Sequence, residues 1–93
     1  MNRKLLNLML YAILDTTAHK VKLGISNNPS RRLRCLQTGN SSKLQLLWVI
    51  DGFGRTEERK LHHALARYRV GGEWFDEKVL QFLNPTSAHI IIA

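Results

Sequence analysis

Two neighbouring stretches near the start of the chain constrain its fold most strongly. Residues 8–14 are dense in apolar side chains around the aromatic Tyr11, as expected of a strand in the middle of a sheet. A polar, turn-forming interval follows, Asp15-Thr-Thr-Ala-His19. Val21, Leu23 and Ile25 then alternate with Lys20, Lys22 and Gly24, the period of a half-buried strand. Residues 8–25 therefore read as a β-hairpin.

A sharply punctuated helix comes next. Asn28 is a good N-cap, Pro29 suits the first helical position, and Gly39 is placed for a left-handed stop. Leu33 and Leu36 supply its apolar stripe, and Arg31, Arg32 and Arg34 make the remainder cationic. Residues 44–50, with Trp48, read as a third strand, and Asp51-Gly-Phe-Gly54 as a turn. Thr56 is expected to cap a second helix, with Glu57 and Glu58 in its first turn, where the helix dipole favours anions. Leu61, Ala64, Leu65 and Tyr68 recur at helical spacing and define its buried face. Gly71-Gly72 breaks that helix, and residues 77–83 form a short third helix ended by Asn84-Pro85. The tail from Ser87 to Ala93 reads as a short edge strand or a disordered end. The expected order is β-β-α-β-α-α: an α+β domain with a small three-stranded mixed or antiparallel sheet flanked by helices.

Ninety-three residues suffice for one domain, with a core over residues 10–75 and a C-terminal helix and tail over 76–93. Fourteen Lys and Arg against seven Asp and Glu leave a net charge of +7. That excess points to a polyanionic partner, nucleic acid before an anionic membrane. The single Cys35 excludes an intramolecular disulfide framework, and no Cys/His cluster has structural-zinc spacing. The apolar runs are too short to span a bilayer. The N-terminal apolar stretch is interrupted by Asn7 and lacks a small-residue cleavage site, so it reads as structure, not as a signal peptide. A cytoplasmic protein, in a bacterium or a phage-infected host, is expected.

At about 100° per helical residue, Arg32 lies roughly 70° from the apolar centre of the first helix, and Glu58 similarly on the second. Both stand where core meets solvent. An arginine and a glutamate so placed, near Tyr11, suit phosphodiester hydrolysis. Arginine clamps the phosphate, glutamate binds a divalent metal, and tyrosine activates or orients water. A surface ion pair is the plainer reading of the same spacing.

Several motifs then occur in order: Tyr11-Ala-Ile-Leu, Val21-Lys-Leu-Gly-Ile-Ser26, Asn28-Pro-Ser-Arg-Arg-Leu33, Leu36-Gln-Thr-Gly-Asn40, Glu58-Arg-Lys-Leu-His62 and Arg69-Val-Gly-Gly-Glu-Trp-Phe75. Together they resemble the GIY-YIG nuclease superfamily, in a small phage and bacterial branch with a lysine in its second motif. The resemblance implies that Tyr11 is a general-base residue, that Gly24 lets backbone pass close to the site, and that Arg32 holds the scissile phosphate. It implies that Glu58 coordinates one Mg²⁺ or Mn²⁺, and that hydrolysis leaves a 3′-hydroxyl and a 5′-phosphate. Two positions depart from the pattern: Met9 replaces a glycine and Lys22 a tyrosine. Lys22 would stabilise phosphate charge, with Tyr11 or His62 taking the proton. The late active-site asparagine of that superfamily has no clear counterpart, Asn84 being the candidate.

The expected function is metal-dependent endonucleolytic cleavage or nicking of DNA, with low sequence preference. Tyr11, Lys22, Arg32, Glu58 and His62 form the catalytic set, and Lys20, Arg31, Arg34 and Lys43 contact nucleic acid. DNA is the expected partner, with RNA as the alternative nucleic acid, and a homodimer or protein partner would supply specificity. The rival expectation is a non-catalytic module that binds nucleic acid or protein. A third is a small phage-encoded inhibitor of a host protein. Glu73, Trp74 and Phe75 read mainly as packing residues, with Glu73 a minor site residue that answers a buried arginine.

Overall fold

A computed structural model describes residues 7–83 and 90–91. Asn84 and most of the tail lie outside the described residues. The hairpin forms as expected: β1 (Met9–Asp15) pairs antiparallel with β2 (Lys20–Ser26), with Tyr11 directly opposite Gly24. Asp15 closes the connecting turn, its Oδ1 accepting from the backbone N–H of Thr17 (3.0 Å) and Ala18 (2.9 Å). Those two bonds, that of Ala18 first, hold its carboxyl below the ordinary value of 3.8. The chain continues through α1 (Pro29–Thr38), β3 (Leu44–Asp51), α2 (Arg55–Ala64), β4 (Arg69–Gly71), β5 (Trp74–Asp76) and β6 (Ile90–Ile91).

The expectation of three strands in the order β-β-α-β-α-α is corrected here. The sheet has five antiparallel strands plus the two-residue β6, in the order β4-β5-β2-β1-β3-β6, and two α-helices. Gly71-Gly72 does not break a helix; it turns a hairpin, with Gly72 at φ +56°, so that β5 pairs with β2. The expected third helix is a 3-10 segment, Glu77–Gln81.

Both faces of the central strands are covered. Leu10, Ala12, Val21, Leu23, Trp48, Phe75 and Val79 form one buried cluster, against which Leu61 and Tyr68 pack. Tyr11, Ile13, Leu44, Leu46 and Val49 form the other, under Leu33 and Leu36 of α1. Two covered faces explain why β1 is apolar without alternation.

Helix boundaries follow local chemistry, with three corrections. Asn28 caps α1, its Oδ1 accepting from Arg31 N–H at 3.1 Å. Gly39, however, is not left-handed (φ −98°). The Gln37 amide secures the exit instead, donating to the carbonyls of Asn40 and Ser42 and accepting from Leu44 N–H. The cap of α2 is Gly54, not Thr56, because the Glu57 carboxylate reaches back to Gly54 N–H at 2.9 Å. Ala64 is exposed, because α2 ends there and a 3-10 turn, Ala66–Tyr68, redirects the chain. No helix among the described residues is long and apolar enough to cross a membrane.

Candidate active site

The site is built around a missing side chain. A Cβ at Gly24 would stand 2.5 Å from Tyr11 Oη and 2.9 Å from Glu73 Oε1. Glycine thus lets a phenol from β1 and a carboxylate from the β4–β5 turn converge over the backbone of β2. This happens at an edge. Strand β5 covers β2 only as far as Lys22, after which Leu23 N–H donates to the Glu73 carbonyl at 3.0 Å. The carbonyl of Leu23 is taken by α2 instead. His62 Nε2 lies 2.7 Å from it, and since a carbonyl only accepts, the imidazole donates there. The ring of His62 packs against Phe75, with centroids 5.1 Å apart. Helix α2 is thereby fastened to the sheet edge, which brings Glu58, one turn earlier, to the same place.

The electrostatics show how closely these groups are coupled. Tyr11 is 1% exposed, and burial raises the pKa of its hydroxyl. The Arg32 guanidinium beside it opposes that rise, while the charges of Glu73 and Glu58 add to it. Interaction with the Tyr11 hydroxyl in turn raises Arg32, with burial acting against it. Glu58 is half-buried, and its carboxyl is raised by burial first and by the charge of Glu73 second. Lys22 is 8% exposed, and its Nζ lies 3.3 Å from Glu73 Oε1. One phenol, two carboxylates, one guanidinium and one ammonium therefore meet across the sheet edge.

Among the expected catalytic residues, Tyr11, Lys22, Arg32 and Glu58 converge, and His62 forms a wall beside them. Lys22 is not the solvated strand lysine its alternation suggests. Glu73 forms its ion pair with this lysine, while its charge also acts on the exposed Arg32, and it stands near the centre of the group. The signal for Glu73 is its position after a Gly-Gly turn, which returns the chain to the sheet. Arg31 lines a recess of about 230 Å³ beside Arg32, together with Ser26, Asn27, Asn28 and Cys35. Arg34 is exposed on α1, and Lys20 lies over the Trp74 ring. Lys43 is remote. Its carbonyl accepts from Thr16 N–H at 3.2 Å, just past the end of β1 and five residues along the chain from Tyr11, or roughly 16 Å.

A family model, the T5orf172 domain, matches residues 9–86. This match overturns the assignment to the GIY-YIG nuclease superfamily: the resemblance carried by the ordered motifs points to a different family. No curated protein and no solved structure matches the chain. The chain belongs to the T5orf172 domain family, which is found in nuclease-like and DNA-binding proteins and is compatible with nucleic-acid interaction.

Proposed function

We propose that this protein hydrolyses phosphodiester bonds of DNA in a metal-dependent reaction centred on Gly24. The observation that carries the reading is the meeting of Tyr11, Arg32, Lys22, Glu58 and Glu73 at one sheet edge. Arg32, at the border of α1, grips the scissile phosphate, because a guanidinium matches two phosphate oxygens at once. Lys22 adds a second positive charge where negative charge develops on phosphorus. The buried Tyr11 hydroxyl keeps its proton at neutral pH, since burial raises its pKa. It therefore orients the attacking water by hydrogen bonding instead of acting as a free phenolate base.

The residues fit a divalent cation. Burial first and the charge of Glu73 second raise the Glu58 carboxyl, and a cation beside it would relieve that repulsion. Carboxylate oxygens are the hard donors that Mg²⁺ and Mn²⁺ prefer, and Mg²⁺ commonly uses one or two carboxylates with water. Glu58 would hold the ion, with Glu73 beside it. Among the described residues no three His, Cys, Asp or Glu side chains come together, so water and phosphate would complete its shell. A bound cation would supply Lewis-acid stabilisation of phosphate charge.

The test is incubation of supercoiled plasmid with the protein in Mg²⁺, in Mn²⁺ and in EDTA. Metal-dependent conversion to nicked or linear DNA is expected. It should disappear in Arg32→Ala and Glu58→Gln proteins that keep their circular dichroism and melting temperature. Retardation of plasmid on a gel without conversion under any metal would assign the chain to binding alone.

A further inference from the structure

We infer that Trp74 is a stacking platform for an unpaired nucleobase beside the scissile phosphate, so that the substrate is DNA carrying a single-stranded or displaced nucleotide. The inference rests on the proposed nucleic-acid role and narrows it to a substrate class. The two tryptophans of the chain are treated very differently by the fold. Trp48 is a core residue, 8% exposed. Trp74 is only half-buried, packing against the Tyr11 and Ile13 cluster.

Two ammonium groups lie over that ring: Lys20 Nζ at 4.9 Å and Lys22 Nζ at 5.6 Å from its centroid. Both are within cation–π range. Lys22 is answered by Glu73, whereas Lys20 forms no salt bridge among the described residues. Asp15 and Asp76 stand opposite Lys20 on the neighbouring strands, but neither closes on its ammonium as Glu73 does on Lys22. A half-buried aromatic ring with a cation beside it is the pairing that takes a base and its phosphate together. The register fixes where this happens. Trp74 stands directly across from Lys22 and follows Glu73, whose carboxylate reaches over Gly24. The ring is therefore next in sequence to Glu73 and next across the sheet to Lys22, which puts it beside the group that would hold the scissile phosphate. Within an intact duplex both faces of each base are already stacked. The ring can therefore take only a base that is unpaired or has been extruded.

The experiment measures binding in EDTA, so it does not depend on catalysis. A short fluorescent oligonucleotide is titrated as a single strand and as its blunt duplex, with tryptophan emission followed in parallel. Because Trp48 is buried, quenching by ligand reports on Trp74. The single strand is expected to quench and the duplex to quench little. Trp74→Leu should lose the quenching and weaken single-strand binding roughly ten- to a hundredfold, with duplex binding changed less than about twofold. Trp74→Phe keeps an aromatic face and should retain most of the affinity. An equal loss in both variants would assign the defect to disturbed packing and overturn the platform. So would equal weakening of single-strand and duplex binding in Trp74→Leu, although the nucleic-acid role would then stand. Failure of the unaltered protein to bind either oligonucleotide would overturn both. The same strand made as RNA shows which sugar the site accepts, and Trp74-dependent binding of either strand supports the platform.

Discussion

Tyr11 lies directly across the sheet from Gly24, and its hydroxyl occupies the space in which a side chain at that position would stand. The ring is buried and held between two strands, so it cannot retreat from an added methyl group. Gly24→Ala is expected to abolish plasmid nicking and to destabilise the fold by about 1–3 kcal/mol, the usual cost of overpacking. Denaturant titration beside the nicking assay checks both. Unchanged stability would show that the phenol is freer than its burial implies.

Lys22 and Glu73 form an ion pair with one side nearly out of water, its side chains 11% and 41% exposed. Glu73→Gln should therefore cost more stability than an ordinary surface pair does. The exposure of Glu73 keeps the loss nearer about 1–2 kcal/mol than the larger cost of breaking a fully buried pair. Lys22→Met in the same protein should recover part of the loss, since it removes the stranded charge. A double-mutant cycle by urea unfolding measures the coupling, and strict additivity would rule the pair out as a unit.

Asp15 sets an acid limit on stability. Its carboxyl is held below the ordinary value of 3.8 by backbone N–H groups, so the unfolded chain takes up a proton there before the folded one does. The contribution is complete at neutral pH, begins to fall as pH drops towards 3.8, and is gone once pH passes below the lowered folded value. Asp15→Asn is expected to be less stable at pH 7 and to lose less on acidification. Urea midpoints from pH 7 downward give the comparison, and parallel curves for the two proteins would remove Asp15 from the account.

The basic residues should separate by position. Arg31, in the recess beside Arg32, is expected to contribute to DNA binding, and Arg31→Ala should lower the dependence of log affinity on log salt by about 0.9. Lys43 holds the far end of the sheet through its backbone carbonyl, and Lys43→Ala should leave nicking unchanged. Binding isotherms at several salt concentrations decide the first point. Plasmid assays decide the second, and loss of nicking in Lys43→Ala would place the DNA path along the whole sheet.

The first hairpin and the start of α1 were legible because their signals are local. Apolar alternation, a turn-forming interval and Asn28-Pro29 each act within a few residues. The β4–β5 hairpin was missed because its strands are three residues long, too short for a period to emerge, and its Gly-Gly turn can equally end a helix. Lys22 looked solvated because alternation reports which residues share a face and is silent on what covers that face. Helix α1 covers it here. Tyr11, Arg32 and Glu58 were named from motifs whose family reading does not stand; it is the fold that brings the three together, with Glu58 half-buried on α2 and Arg32 exposed on α1. The Gly-Gly turn before Glu73 marks only a return to the sheet; that Glu73 joins them depends on where β5 stops along β2, a feature of tertiary pairing.

The bond from His62 to the Leu23 carbonyl also bears on how copies of this chain behave towards one another. Where β5 ends, β2 would offer an open row of backbone donors and acceptors, the kind of edge onto which another chain adds a strand. The imidazole occupies the first acceptor past that end, and α2 stands in the way of an incoming backbone. Strand addition is thus blocked one residue short of Gly24. The histidine keeps the sheet from extending itself across the strand edge where Tyr11 and Glu73 meet, a protective task separate from any part in chemistry.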